Sequence, residues 1–220
     1  MIQFITNYHD NISLTEQTEY VLQAGCRWVQ LRLKGADDAE IYMVGKVLRQ
    51  LCDQYEATLI IDDAVRMVPV VGADGVHLGK LDMPVDEARK LLGPDKIIGG
   101  TANTIEDVER LAQQGANYIG CGPFRFTTTK KNLSPLLGLE GYAAILEQMR
   151  QKQIDLPLIA IGGITVEDVP DLVDLGVSGI AISSAILEAK KPEVMMRKFI
   201  RIENKARKLK NKSNTKRYEQ

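Results

Sequence analysis

Asn117-Tyr-Ile-Gly-Cys-Gly-Pro-Phe-Arg-Phe-Thr-Thr-Thr-Lys-Lys131 is a strand running into a polar loop. The first five residues are short and apolar, the mark of a strand buried on both faces. Gly122 and Pro123 then break regular structure, so the threonines and lysines fall on a loop at the strand's C-terminal end. Hydroxyls and ammonium groups this close together suit an anion such as phosphate, and equally suit a solvated basic loop. The other strand ends have to decide.

Working outward, the same unit recurs: a short apolar strand, a polar or glycine-containing turn, then a helix. Strands are expected at 2–6, 28–32, 58–61, 75–78, 96–99, 117–121, 158–161 and 179–182. Helices are expected after each, the first opened by Ser13 with Glu16 at the capping-box position and closed at Gly25. Gly72, Gly115 and Gly176 stand at the same point of later units, as helix ends before the next strand. Eight such units in about 200 residues predict an α/β fold of the (β/α)8 TIM-barrel type near its minimum size. A doubly wound open sheet is the second choice, but no dinucleotide fingerprint accompanies it.

Composition narrows the class. The formal net charge is −1, which argues against a general nucleic-acid or membrane-surface binder. No apolar run approaches the ~20 residues of a membrane span, and no signal-peptide pattern opens the chain. Three cysteines without close spacing suggest neither a disulfide framework nor a zinc site. A soluble, cytoplasmic protein is expected, with one catalytic barrel over residues 1–202 and a basic, frayed tail over 203–220. Self-association is left open.

In a barrel the C-terminal ends of the strands converge on one mouth. The second strand brings Gln30, Arg32 and Lys34 there at alternate positions, hence on one side of an extended segment. Such a cluster of polar and cationic groups makes sense opposite an anion. The third strand end supplies Asp62 and Asp63, and the loop after the fourth supplies Asp82. Carboxylates beside cations, in a mouth that binds phosphate, suggest Mg²⁺ carried with a pyrophosphate. The last two strand ends carry Gly162-Gly163 and Ser183-Ser184, a pairing suited to a monophosphate held on backbone N–H groups, although a glycine pair is also an ordinary tight turn. His77, within its strand, reads as a packed core or mouth residue, and His9 lies in the first loop. No Ser/His/Asp or Cys/His arrangement can be drawn, so chemistry that rests on electrostatics fits better than chemistry needing a base.

These motifs resemble thiamine phosphate synthases. The likeness rests on Gln30-Leu-Arg-Leu-Lys34, Asp63, Gly72-Ala-Asp-Gly-Val-His-Leu-Gly79 with Asp82-Met-Pro84, Gly122-Pro123 with 127–131, Ile161-Gly-Gly-Ile164 and Ser183-Ser184-Ala-Ile186. It runs in order to about Phe199. The resemblance implies joining of a hydroxymethylpyrimidine pyrophosphate to a thiazole phosphate, with Mg²⁺ as cofactor and release of pyrophosphate. It implies that Gln30, Arg32, Lys34, Asp62 and Thr101 bind the pyrimidine pyrophosphate and that Asp63 and Asp82 hold the metal. Thr127 and Thr129 would meet the thiazole, Lys130 the pyrophosphate, and Gly163, Ser183 and Ser184 the thiazole phosphate. Arg32, Lys34 and Lys130 would be catalytic through charge: pyrophosphate departs first, and the thiazole nitrogen captures the methylene cation without a general base.

The sequence departs from the family pattern in places. Asp62 stands where Asn is usual, Lys80 where Gln is usual, Thr101 for Ser and Phe126 for Pro. Either the metal or Lys80 is expected to offset the added charge of Asp62. Two other readings keep the barrel. A thiazole tautomerase would need a histidine after the sixth strand, where Pro123 stands. A non-catalytic phosphate-ligand-binding regulatory barrel would not need Asp63, Asp82, Arg32 and Lys130.

Overall fold

The structure is a computed structural model that describes residues 1–126 and 135–218, with side chains through 212. The loop positions Thr127, Thr129 and Lys130 therefore lie outside the described residues. In chain order the elements are β1 (Ile2–Ile5), α1 (Leu14–Gln23), β2 (Trp28–Leu31), α2 (Asp38–Gln54), β3 (Thr58–Asp62) and α3 (Met67–Val71). Next come β4 (Gly75–Leu78), α4 (Val85–Leu92), β5 (Ile97–Ala102), α5 (Ile105–Gln113), β6 (Tyr118–Cys121) and α6 (Gly138–Gln151). After β7 (Leu158–Ile161) a single 3₁₀ turn, Val166–Asp168, leads into α7 (Val169–Leu175). The chain ends with β8 (Gly179–Ile182), α8 (Ser184–Leu187) and α9 (Pro192–Tyr218).

The eight strands form a closed parallel barrel in sequence order, and β8 returns to β1 with Ile2 beside Ile180 and Phe4 beside Ile182. Local chemistry sets the units. Ser13 and Glu16 form the expected capping box, with Glu16 Oε2 accepting from the Ser13 N–H at 2.9 Å. Thr104 and Asp107 repeat the device at the start of α5. Gly72 and Gly176 close their helices in the left-handed region, which an L side chain adopts only under strain.

Two apolar clusters result. The larger lies between the barrel and its helices, and holds Phe4, Leu22, Leu48, Leu59, Ile98 and Phe199. The smaller is inside the barrel, around Ile5, Tyr118, Ile159 and Ala181, with Trp28 against it. Glycines make room there. A Cβ on Gly99 would lie 2.1 Å from Tyr118 Cζ, and one on Gly120 would lie 2.8 Å from His77 Cε1. The barrel interior thus packs the Tyr118 and His77 rings among aliphatic side chains such as Ile5 and Ile159.

The structure departs from the expected tail. α9 continues as one helix through residue 203, and Glu203 and Ala206 are buried. Glu203 accepts from the Met1 amino nitrogen at 2.5 Å and also engages Arg207. Further on, Lys210 Nζ donates to Val173 O at 2.8 Å at the C-terminal end of α7. Apolar residues are sparse there, so the sequence showed no core face; cations bonding helix-end and loop carbonyls hold the segment instead. No helix among the described residues is long and apolar enough to cross a membrane.

Candidate active site

The mouth at the strand C-termini encloses a cavity of about 400 Å³. Of the described residues expected at the site, Gln30, Arg32, Lys34, Asp62, Asp63, Asp82, Thr101, Gly163, Ser183 and Ser184 all line it. Alternation along β2 and its exit does place the amide, guanidinium and ammonium on one side.

Arg32 is held before any ligand arrives. Its backbone N–H donates to Thr6 Oγ1 at 2.9 Å, its Nη1 donates to Asn7 Oδ1 at 3.0 Å, and Nε lies 3.4 Å from Asp62 Oδ2. Asp62 in turn accepts from Gln30 Nε2 at 2.5 Å. Arg32 and Asp62 are 12% and 14% exposed, so this pair is shielded enough to fix both groups. The expected role of Lys80 needs correction. Lys80 Nζ sits 2.5 Å from Asp107 Oδ2, so its charge is matched by the α5 cap and not by Asp62. Asp107 lies on α5, a full strand–helix unit further along the chain, so nothing local in the sequence joins it to Lys80.

Asp63 occupies the left-handed region at φ +61°, tolerable for Asp but strained, which turns the chain at the end of β3. Burial, the neighbouring Asp62 charge and a hydrogen bond with Asp82 push the Asp63 carboxyl up to about 8. Asp82 also accepts from the Gly79 N–H at 2.7 Å, an approach that leaves no space for a side chain on residue 79. Two carboxyls brought together at the cost of a retained proton form a donor set that a hard dication would relieve. Among the described residues no group of three or more His, Cys, Asp or Glu is placed to hold a metal, but Mg²⁺ commonly takes one or two carboxylates and completes its shell with water and phosphate oxygens.

Across the mouth, Ser183 Oγ is buried without a hydrogen-bond partner among the described residues. A buried hydroxyl left unpaired is costly, which marks this position as one completed by a ligand. Gly162 and Gly163 have φ of +99° and +65°. Close packing also demands glycine there: a Cβ on Gly163 would lie 2.5 Å from Arg125 Cγ, and one on Gly162 would lie 2.7 Å from Pro123 Cβ. The glycines therefore seat the loop after β6, a role the sequence did not reveal.

The floor contains residues that sequence reasoning passed over. Gln3 Nε2 reaches Gln30 Oε1 at 3.1 Å and Tyr118 Oη at 3.4 Å. His77 bridges Tyr118 Oη (3.1 Å) and Thr101 Oγ1 (3.0 Å). The available signal was a polar residue, Gln3, in the otherwise apolar run Ile2-Gln-Phe-Ile5.

A closed (β/α)8 barrel with cations, paired carboxyls and an unpartnered buried hydroxyl at one mouth defines the class: a barrel of the phosphate-handling kind. Within that class, residues 2–186 match the family described as thiamine monophosphate synthase, and the chain belongs to that family. The thiamine-phosphate synthase of Phocaeicola vulgatus is 54% identical over 191 residues, covering 87% of this chain and 92% of its own. That of Bacteroides thetaiotaomicron is 53% identical over 199 residues, covering 90% and 95%. Among solved structures, thiamine phosphate pyrophosphorylase from Pyrococcus furiosus superposes with a TM-score of 0.83 at 32% identity, covering 93% of this chain and 96% of that one.

Proposed function

We infer that this protein is a thiamine-phosphate synthase, joining a hydroxymethylpyrimidine pyrophosphate to a thiazole phosphate and releasing pyrophosphate. The observation that carries the reading is that two groups of polar side chains, each suited to an anion, line one mouth. Arg32 and Lys34 stand with Asp63 and Asp82 on one side, and the unpartnered Ser183 hydroxyl stands on the other. Gln30, Arg32, Lys34, Asp62 and Thr101 would bind the pyrimidine pyrophosphate. Ser183, Ser184 and the backbone at Gly163 would bind the thiazole phosphate, and Thr127, Thr129 and Lys130 would complete the site from the loop after β6. The barrel over residues 1–202 is the proposed catalytic unit.

Asp63 and Asp82 would hold Mg²⁺, which when bound supplies positive charge to a leaving pyrophosphate. The remaining work falls to the chain's own groups. Arg32, Lys34 and Lys130 would stabilise the charge that grows on the departing oxygen, in a site where such charges act more strongly than in water. The walls Ile5, Ile161 and Ile164 exclude water from a methylene that becomes electron-poor. A thiazole nitrogen attacks with a lone pair, so no protein base is required. His77, whose ring nitrogens contact Tyr118 and Thr101, is not needed as one. A cytoplasmic location accords with this reading, since Cys26, Cys52 and Cys121 are free, buried thiols that suit a reducing compartment.

The test is turnover of purified protein with both substrates and Mg²⁺, read by oxidation of the product to a fluorescent thiochrome. Product that disappears with a chelator supports the reading, and folded protein giving no product contradicts it.

A further inference from the structure

We propose that Asp62, Gln30, Gln3, Tyr118 and His77 form a one-way hydrogen-bond chain across the barrel floor that sets Thr101 as a donor to the ligand. The direction follows from which atoms can donate. A carboxylate only accepts, so Asp62 Oδ1, 2.5 Å from Gln30, must face the NH₂ end of that amide. Turning Gln30 over would press two acceptor oxygens together. Gln30 Oε1 therefore faces Gln3, and at 3.1 Å it can be met only by the NH₂ end of the Gln3 amide. The other hydrogen of that NH₂ points to Tyr118 Oη at 3.4 Å.

Tyr118 is 3% exposed, and burial raises its pKa, so the phenol keeps its proton. With one N–H already directed at its oxygen, its own hydrogen goes to His77 Nδ1 at 3.1 Å. The opposite tautomer would aim two N–H groups at one phenol oxygen and strand the phenol hydrogen in a dry interior. His77 is then protonated on Nε2 and donates to Thr101 Oγ1 at 3.0 Å. The Thr101 hydroxyl hydrogen remains for the cavity it lines, where it would select a ligand atom carrying a lone pair. Space is reserved for this chain: Gly99 lies under the Tyr118 ring, and Gly120 beside His77.

Gln3, Tyr118 and His77 are positioning residues in this scheme, and Asp62 is the anchor that fixes its polarity. Only the role of Thr101 toward the pyrimidine substrate rests on the proposed function. The direction of the chain belongs to the free protein, so the two ideas fail separately.

The test is nitrogen NMR of protein with isotopically labelled histidine. The chain has only two histidines, and His9→Asn assigns the spectrum. His77 is expected as a single Nε2–H tautomer, with Nδ1 showing the shift of an acceptor nitrogen. Tyr118→Phe keeps the ring that packs edge-on against Trp28 (centroids 4.9 Å apart) and removes only the hydroxyl. It should turn His77 into a mixture of tautomers. Asp62→Asn, which lets Gln30 turn over, should move the same signals in the same direction. A wild-type Nδ1–H tautomer or an even mixture overturns the proposal, as does a Tyr118→Phe spectrum identical to wild type. If Tyr118→Phe does not fold, the wild-type tautomer together with Asp62→Asn decides. An Asp62→Asn spectrum identical to wild type removes Asp62 as the anchor.

Discussion

Arg125 and Asp168 meet end to end, with Nη1 2.6 Å from Oδ2 and Nη2 2.7 Å from Oδ1. The contact joins the loop after β6 to the 3₁₀ turn before α7. Arg125 Nη1 also donates to Gly163 O at 3.0 Å, so one side chain fixes the segment leading into residues 127–131 against the glycine turn at the end of β7. The Asp168 carboxyl is shifted downward despite its burial, by Arg125 and by the Thr165 backbone and hydroxyl.

Arg125→Ala should therefore act on substrate handling more than on stability. A half-exposed pair is worth no more than about 1 kcal/mol to the fold. Displacing the segment that leads into 127–131 should raise the KM for the thiazole phosphate roughly tenfold or more. Thermal unfolding and steady-state kinetics on the same preparation separate the two effects. A large loss of Tm with unchanged KM would show that the clamp is merely structural.

Ser183→Ala should show the opposite balance to an ordinary core substitution. Because Ser183 Oγ is buried without a partner among the described residues, its removal should leave Tm unchanged or slightly raised. Affinity for the phosphate substrate should fall by about 1.5–3 kcal/mol, the worth of a hydrogen bond to a charged group. Calorimetric titration with the thiazole phosphate reads this directly, and unchanged affinity would remove Ser183 from the site.

Asp63 predicts a pH effect with a definite sign. Its folded pKa of about 8 exceeds the reference value of 3.8, so the folded state binds this proton more tightly than the unfolded chain. The contribution is present in full below the reference value and is lost as pH rises through about 8. In metal-free buffer, the Tm of wild type should fall relative to Asp63→Asn between roughly pH 4 and pH 8. Mg²⁺ should restore wild type at the upper end by binding the carboxylate that has lost its proton, and should leave Asp63→Asn unaffected. Parallel Tm curves for the two proteins, with or without Mg²⁺, would contradict the assignment.

Gly99→Ala tests how tightly the interior is filled. The new methyl would lie 2.1 Å from Tyr118 Cζ, and the ring, wedged against Trp28, has little room to withdraw. A loss of about 1–3 kcal/mol or more is expected by denaturant unfolding. A neutral result would mean that the ring can be displaced without cost.

The fold was legible because its signals are local. Each strand announces itself by a short apolar run, and Gly25, Gly72, Gly115 and Gly176 mark the same joint in alternate units, all at positive φ. The mouth was legible because a barrel converts strand ends into neighbours, which brought Arg32, Asp63 and Ser183 together without any knowledge of distance. Partnerships were the hidden part. Lys80 with Asp107, Arg125 with Asp168 and Gln3 with Tyr118 each link elements far apart in sequence, and nothing in either segment names the other. The packed length of α9 was hidden for a related reason. Glu203, Arg207 and Lys210 bond an amino group and carbonyls, which leave no apolar period to read.

The central claim is that this mouth couples departure of a pyrophosphate to capture by a thiazole phosphate. Phosphorus NMR of one reaction mixture containing protein, both substrates and Mg²⁺ tests it most directly. The account predicts one inorganic pyrophosphate for each thiamine phosphate formed, with neither appearing when Mg²⁺ is chelated or when Asp63 is replaced by Asn. Accumulation of inorganic phosphate without pyrophosphate, or thiamine phosphate formed at the same rate by Asp63→Asn in chelator, would contradict it.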